Sequence, residues 1–130
     1  MSELELSSSL KGIKAIIVED SFTVAESLKF LLESWQCEVT GMAANVCKAL
    51  ELVDQGAFDI AILDIDLGGR TVAPVAERLR ERDRPFVFLS GYGDNDMLPP
   101  SLHAFVCLEK PVDSALLVKQ IRELLGRPDG

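Results

Sequence analysis

Along this chain, five short apolar runs alternate with longer stretches in which apolar residues return at helical spacing. Ile13–Val18, Cys37–Gly41, Phe58–Asp64, Phe86–Leu89 and Ala104–Leu108 each read as a buried strand, because a continuous apolar run bounded by turn residues leaves no solvated face. Between them, Ser21 caps a helix carrying Val24, Ala25, Leu28, Leu31, Leu32 and Trp35. Asn45 caps a second through Val46, Ala49, Leu50 and Val53, which stops at Gly56. Pro74 suits the first turn of a third helix whose apolar stripe is Val75, Ala76 and Leu79. Asp113 or Ser114 opens the last, with Leu117, Ile121, Leu124 and Leu125 inward and Gly126 as its stop. Phe22 and Trp35 are expected in the core. Asp94–Met97 starts a further helix that Pro99 and Pro100 break, so a short or irregular element is expected there.

Strands that alternate with helices imply an α/β fold: a parallel sheet covered on both faces. Right-handed crossovers restrict it to a few doubly wound orders, of which the flavodoxin-like order 2-1-3-4-5 is expected. Residues 1–11 carry a serine run without a sustained pattern and read as a flexible N-terminal arm. Residues 12–126 form one domain, and 127–130 a C-terminal tail.

At 130 residues the chain can bury a core large enough to fold without staples. Its net charge of -8 disfavours direct contact with nucleic acid or anionic membrane, so no nucleic acid and no membrane are expected as partners. Cys37, Cys47 and Cys107 are an odd set at wide spacing inside apolar segments. They read as small core residues in a reducing, cytoplasmic compartment. One histidine, His103, and Cys107 are too few for zinc.

The polar residues that end the apolar runs carry the chemistry. Glu19 and Asp20 follow the first strand, Asp64 ends the third, Ser90 follows the fourth and Lys110 the fifth. In a parallel sheet these ends share one rim, and with the order above Asp20 and Asp64 face each other at the switch point. Carboxylates gathered there repel, so without a counter-charge at least one is driven to hold a proton. The donors are all oxygens, which points to magnesium, an ion that commonly meets phosphate. A carboxylate can attack phosphorus once the charge on the transferring oxygens is neutralised, and Asp64 stands in the middle of the set. The hydroxyl of Ser90 and the ammonium of Lys110 would each take one oxygen.

Together, Ile17-Val18-Glu19-Asp20, Leu63-Asp64-Ile65-Asp66-Leu67, Leu89-Ser90-Gly91 and Leu108-Glu109-Lys110-Pro111 resemble the receiver domains of two-component response regulators (CheY-like), over about Ile13 to Leu125. The resemblance implies that Asp64 is the phosphoacceptor, taking a phosphoryl group from a sensor histidine kinase or a histidine phosphotransfer protein. It implies magnesium on Asp20, Asp64 and the backbone carbonyl of Asp66, with Glu19 acting through water. Ser90 and Lys110 would contact the phosphoryl oxygens, and Lys110-Pro111 would be cis. Such a domain is not a turnover enzyme; its catalysis is confined to its own phosphotransfer and slow autodephosphorylation. Its output would pass through a downstream protein effector, and a homodimer is compatible with the class.

Two departures stand out. Gly68 replaces a proline usual after the acceptor, which frees that loop. Cys107 stands where the family has an aromatic switch residue three positions before the lysine; Phe105, two earlier and on the same strand parity, is not the matching position. The short fourth helix and the Phe105–Pro111 run look most like stand-alone receivers paired with atypical sensor kinases. Two other readings compete: a receiver-like module that binds partners without phosphorylation, and a phosphatase of the haloacid-dehalogenase type with Asp64 as nucleophile and Asp66 as general acid.

Overall fold

The computed structural model describes residues 9–126. Most of the arm, residues 1–8, and the tail, 127–130, lie outside the described residues. The main elements are β1 (Lys14–Val18), α1 (Phe22–Ser34), β2 (Glu38–Ala43), α2 (Val46–Gln55), β3 (Ile60–Asp64), β4 (Asp66–Leu67), β5 (Arg70–Thr71), α3 (Ala73–Glu81), β6 (Phe86–Ser90), β7 (Cys107–Glu109) and α4 (Ser114–Leu124). Two 3-10 turns, Asp94–Met97 and Pro100–Leu102, stand between β6 and β7, because Pro99 and Pro100 deny a helix its backbone donors.

Five strands form one parallel sheet in the order β2-β1-β3-β6-β7. Numbered within that sheet, this is the order 2-1-3-4-5, the flavodoxin-like arrangement. The alternation of side chains along each strand divides the core in two. Ile16, Val18, Ala61, Leu63, Phe86 and Phe88 pack toward α2 and α3. Ala15, Ile17, Ile60, Ile62, Val87 and Leu89 pack toward α1 and α4. Both faces are covered, which is why the strands read as unbroken apolar runs.

Ser21, Asn45 and Asp113 cap their helices by accepting from Val24, Lys48 and Leu116, and Gly56 ends α2 in the left-handed region. Several expectations are corrected. Phe22, the first residue of α1, is 75% exposed; Trp35 is half-buried against the core. Val24 and Leu124 are likewise exposed on their helices. Cys47 is exposed in the first turn of α2, whereas Cys37 is buried and Cys107 half-buried. Leu10, assigned to the arm, is fully buried, and its N–H donates to Trp35 O at 3.0 Å.

The last strand starts later than expected. Phe105 N–H donates to Leu102 O, closing a turn, and β7 pairs with β6 only from Cys107 to Glu109. Phe105 is thus outside the strand and does not share its parity. Its ring stacks on Phe86, centroids 4.8 Å apart, at the start of β6 and away from Ser90. The second strand also shifts, to Glu38–Ala43, with an irregularity in its register opposite Ala15 and Ile16.

Candidate functional site at the carboxyl rim of the sheet

The carboxyl ends of β1, β3, β6 and β7 deliver the site. Glu19 N–H continues the ladder by donating to Ala43 O, and Ile65 N–H does the same to Leu89 O, so the residues beside them inherit the rigidity of the sheet. Asp64, the last residue of β3, is 3% exposed; Glu19 is 5% and Ser90 2%. Asp20 is exposed at the mouth. One carboxylate oxygen from each of Glu19, Asp20 and Asp64 lies within 4.8 Å of the others.

Lys110 reaches in from the opposite side. Its Nζ donates to Asp64 Oδ2 at 2.9 Å and stands 3.6 Å from Glu19 Oε2. Its backbone N–H donates to Ser90 O at 2.8 Å, which ties the lysine to the serine strand. The Lys110-Pro111 bond is cis. Burial lowers the pKa of the ammonium, but the hydrogen bond and charge of Asp64, then Glu19 and Asp94, outweigh it and raise the pKa overall.

Glu19 shows the repulsion expected of crowded acids. Burial first, then its hydrogen bond and charge interaction with Asp64, push its carboxyl up to about 8, against the opposing Ser21 N–H and Lys110. Glu19 Oε2 and Asp64 Oδ1 are buried without a donor. A proton held between the two carboxyls relieves that deficit, and so would a divalent cation. The donors are oxygens only, and the residues fit a hard ion such as magnesium.

Asp66 does not join this cluster with its side chain. Its Oδ1 accepts Gly69 N–H at 2.7 Å, closing the β4–β5 hairpin. The hairpin folds back through Val72 N–H to Ile65 O. Gly68 has φ +68°, which proline cannot adopt, and a Cβ there would lie 3.4 Å from Asp20 Oδ2. The left-handed backbone there is what calls for glycine, and the hairpin holds the loop that the missing proline was expected to free. With its carboxylate engaged in the turn, Asp66 is poorly placed as a general acid for a phosphatase.

The structure thus brings together Glu19, Asp20, Asp64, Ser90 and Lys110, and leaves Phe105 apart. Cys107 faces the 3-10 segment, its Sγ 3.4 Å from Asn95 Oδ1. One residue escaped the sequence reading: Asp94, whose Oδ2 accepts Gly91 N–H at 2.6 Å. The signal was an Asp three residues after a rim glycine, a spacing at which a side chain returns to the preceding backbone.

The fold, with its rim of acids, hydroxyl and lysine, is that of a receiver domain. The family model for the response regulator receiver domain matches residues 15–122, and this chain belongs to that family. An uncharacterized response regulatory protein of Vibrio cholerae is 30% identical over 115 residues, which are 87% of this chain and 48% of that protein. The transcriptional regulatory protein BtsR of Escherichia coli is 31% identical over 114 residues, 86% of this chain and 48% of BtsR. The chain spans about half the length of the curated relatives it matches. Among solved structures, SdrG from Sphingomonas melonis Fr1 is 37% identical with a TM-score of 0.76, covering 91% of this chain and 98% of that one. A solution structure of the BeF3-activated conformation of SdrG, from Pseudomonas melonis Fr1, is 36% identical with a TM-score of 0.70, covering 86% and 95%. Among the described residues, no helix is long and apolar enough to cross a membrane.

Proposed function

We propose that Asp64 accepts a phosphoryl group from a sensor histidine kinase or a histidine phosphotransfer protein, and that the modified domain changes its hold on a downstream protein effector. The observation that carries this reading is the pairing of Asp64 Oδ2 with Lys110 while Asp64 Oδ1 stays without a donor beside Glu19. The residues that would hold magnesium are Asp20, Asp64 and the backbone carbonyl of Asp66, with Glu19 acting through water. When bound, magnesium offsets the negative charge of the acids and of the transferring oxygens.

In the transfer, the phosphorus–nitrogen bond of a phosphohistidine breaks and a bond from an Asp64 oxygen to phosphorus forms. The electron pair of the broken bond stays on the donor ring, which takes up a proton. Lys110 keeps its charge toward the pocket and Ser90 offers a hydroxyl, so both can meet the phosphoryl oxygens. The chain is not a turnover enzyme on this reading; it catalyses only its own phosphotransfer and slow autodephosphorylation. It works in the cytoplasm, the compartment that suits three unpaired thiols.

The relative described as BeF3-activated supports a test with that mimic. Beryllofluoride should perturb the spectrum of the wild-type protein only when magnesium is present. Asp64→Asn should keep the fold, lose that response and take no label from a phosphorylated kinase. Acid-labile label retained on Asp64→Asn, or no response of the wild type, would overturn the reading.

A further inference from the structure

The turn after Ser90 carries a carboxylate of its own. Asp94 is half-buried; its Oδ2 accepts Gly91 N–H at 2.6 Å, and its own N–H returns to Gly91 O at 3.3 Å. That 2.6 Å contact is a short, charge-assisted bond. Gly91 directly follows Ser90, so its N–H leaves the peptide that joins the rim hydroxyl to the turn. Ser90, Gly91, Asn95, Glu109 and Lys110 share the walls of one cavity of about 260 Å3. The charge of Asp94 is felt at Lys110, the same ammonium that binds Asp64. An anion therefore already holds the backbone donor that follows Ser90.

The turn that opens with Asp94 is exposed, whereas Leu98 and Leu102 after it are buried in the core. The 3-10 turn Asp94–Met97 buries none of its residues, and its Asn95 makes the weak thiol contact to Cys107. Beneath the segment lies a cavity of about 190 Å3 bounded by Phe88, Leu98, Leu102, His103 and Cys107 among others.

We infer that Asp94 is a built-in competitor of the phosphoryl group: it holds Gly91 N–H while Asp64 is bare, and yields that donor when Asp64 is phosphorylated, freeing the Asp94–Met97 turn. The inference rests on the phosphoacceptor reading above. A phosphoryl group adds about two negative charges, and like charges in a partly buried pocket repel strongly. Release of Asp94 couples the acceptor to the surface without an aromatic at position 107.

The test titrates wild-type protein, Asp94→Ala and Asp94→Asn with beryllofluoride and magnesium, following the Gly91 amide by NMR. In the wild type, the Gly91 resonance should move as the mimic binds. Asp94→Ala should bind the mimic roughly tenfold more tightly, the scale of one charge-assisted hydrogen bond no longer competing. Asp94→Asn, which keeps a neutral acceptor in the turn, should gain less. A carboxylate that merely shapes the turn predicts weaker or unchanged binding in both variants, and that result overturns the inference. Should Asp94→Ala loosen the loop, an unchanged affinity in Asp94→Asn overturns it equally. A wild type that ignores the mimic defeats the phosphoacceptor reading, and the competitor with it; a responsive wild type with no gain in either variant defeats the competitor alone.

Discussion

Lys110 Nζ donates to Asp64 Oδ2 at 2.9 Å across 46 residues of sequence. The same ammonium faces Glu19, so a single cation offsets two buried acids. Much of how this rim behaves follows from that sharing.

Lys110→Ala should destabilise the magnesium-free protein by about 1–2 kcal/mol. Breaking a fully buried pair costs more, but this lysine side chain is 32% exposed, and water screens part of the loss. Urea unfolding with and without magnesium checks it: the deficit should shrink when the ion is added. The variant should still bind beryllofluoride yet signal poorly, and normal output from it would discredit the role given to Lys110.

Glu19 sets a pH dependence. Its carboxyl is pushed from the ordinary 4.5 up to about 8 in the folded protein. Between those values the folded state binds more protons than the unfolded one, so this group's contribution is full below about 4.5 and is lost as pH rises through about 8. Unfolding free energies of magnesium-free protein across that window should fall more steeply with pH for wild type than for Glu19→Gln. Equal slopes would show that Glu19 is ionised throughout.

The thiols should separate by environment. Burial, with the nearby charges of Asp59, Glu33 and Glu38, pushes Cys37 up to about 12, whereas Cys47 is exposed on α2. Iodoacetamide at mildly alkaline pH should label Cys47 first and Cys107 more slowly. Cys37 should react only after denaturation. Mass spectrometry of timed digests reads the order, and early labelling of Cys37 would contradict its burial.

Phe105→Ala should cost about 2 kcal/mol, from lost area and the stacked contact with Phe86. Because that stack lies at the opposite end of β6 from Ser90, beryllofluoride affinity should stay within about twofold of wild type. Thermal melts and mimic titrations check the two halves separately. A large change in mimic affinity would restore Phe105 as a switch residue.

Much of this protein was legible in its residues alone. Unbroken apolar runs such as Ile60–Leu63 report burial on both faces of a sheet, and caps such as Ser21 and Asn45 act within one turn, so local chemistry decides them. Parallel connection then forces Glu19, Asp20, Asp64, Ser90 and Lys110 onto one rim, whatever the detailed packing. The tertiary structure decided the rest, because it depends on neighbours distant in sequence or on where the sheet stops. Phe22 is apolar and helical, yet it is exposed at the start of α1. Phe105 left the strand because Phe86 offered a ring and Leu102 a carbonyl. Asp94 looked like the start of a short helix until the turn brought its carboxylate back to Gly91. Apolar periodicity records which face of an element is covered, whereas the partner of a particular carboxylate is settled only when the chain closes on itself.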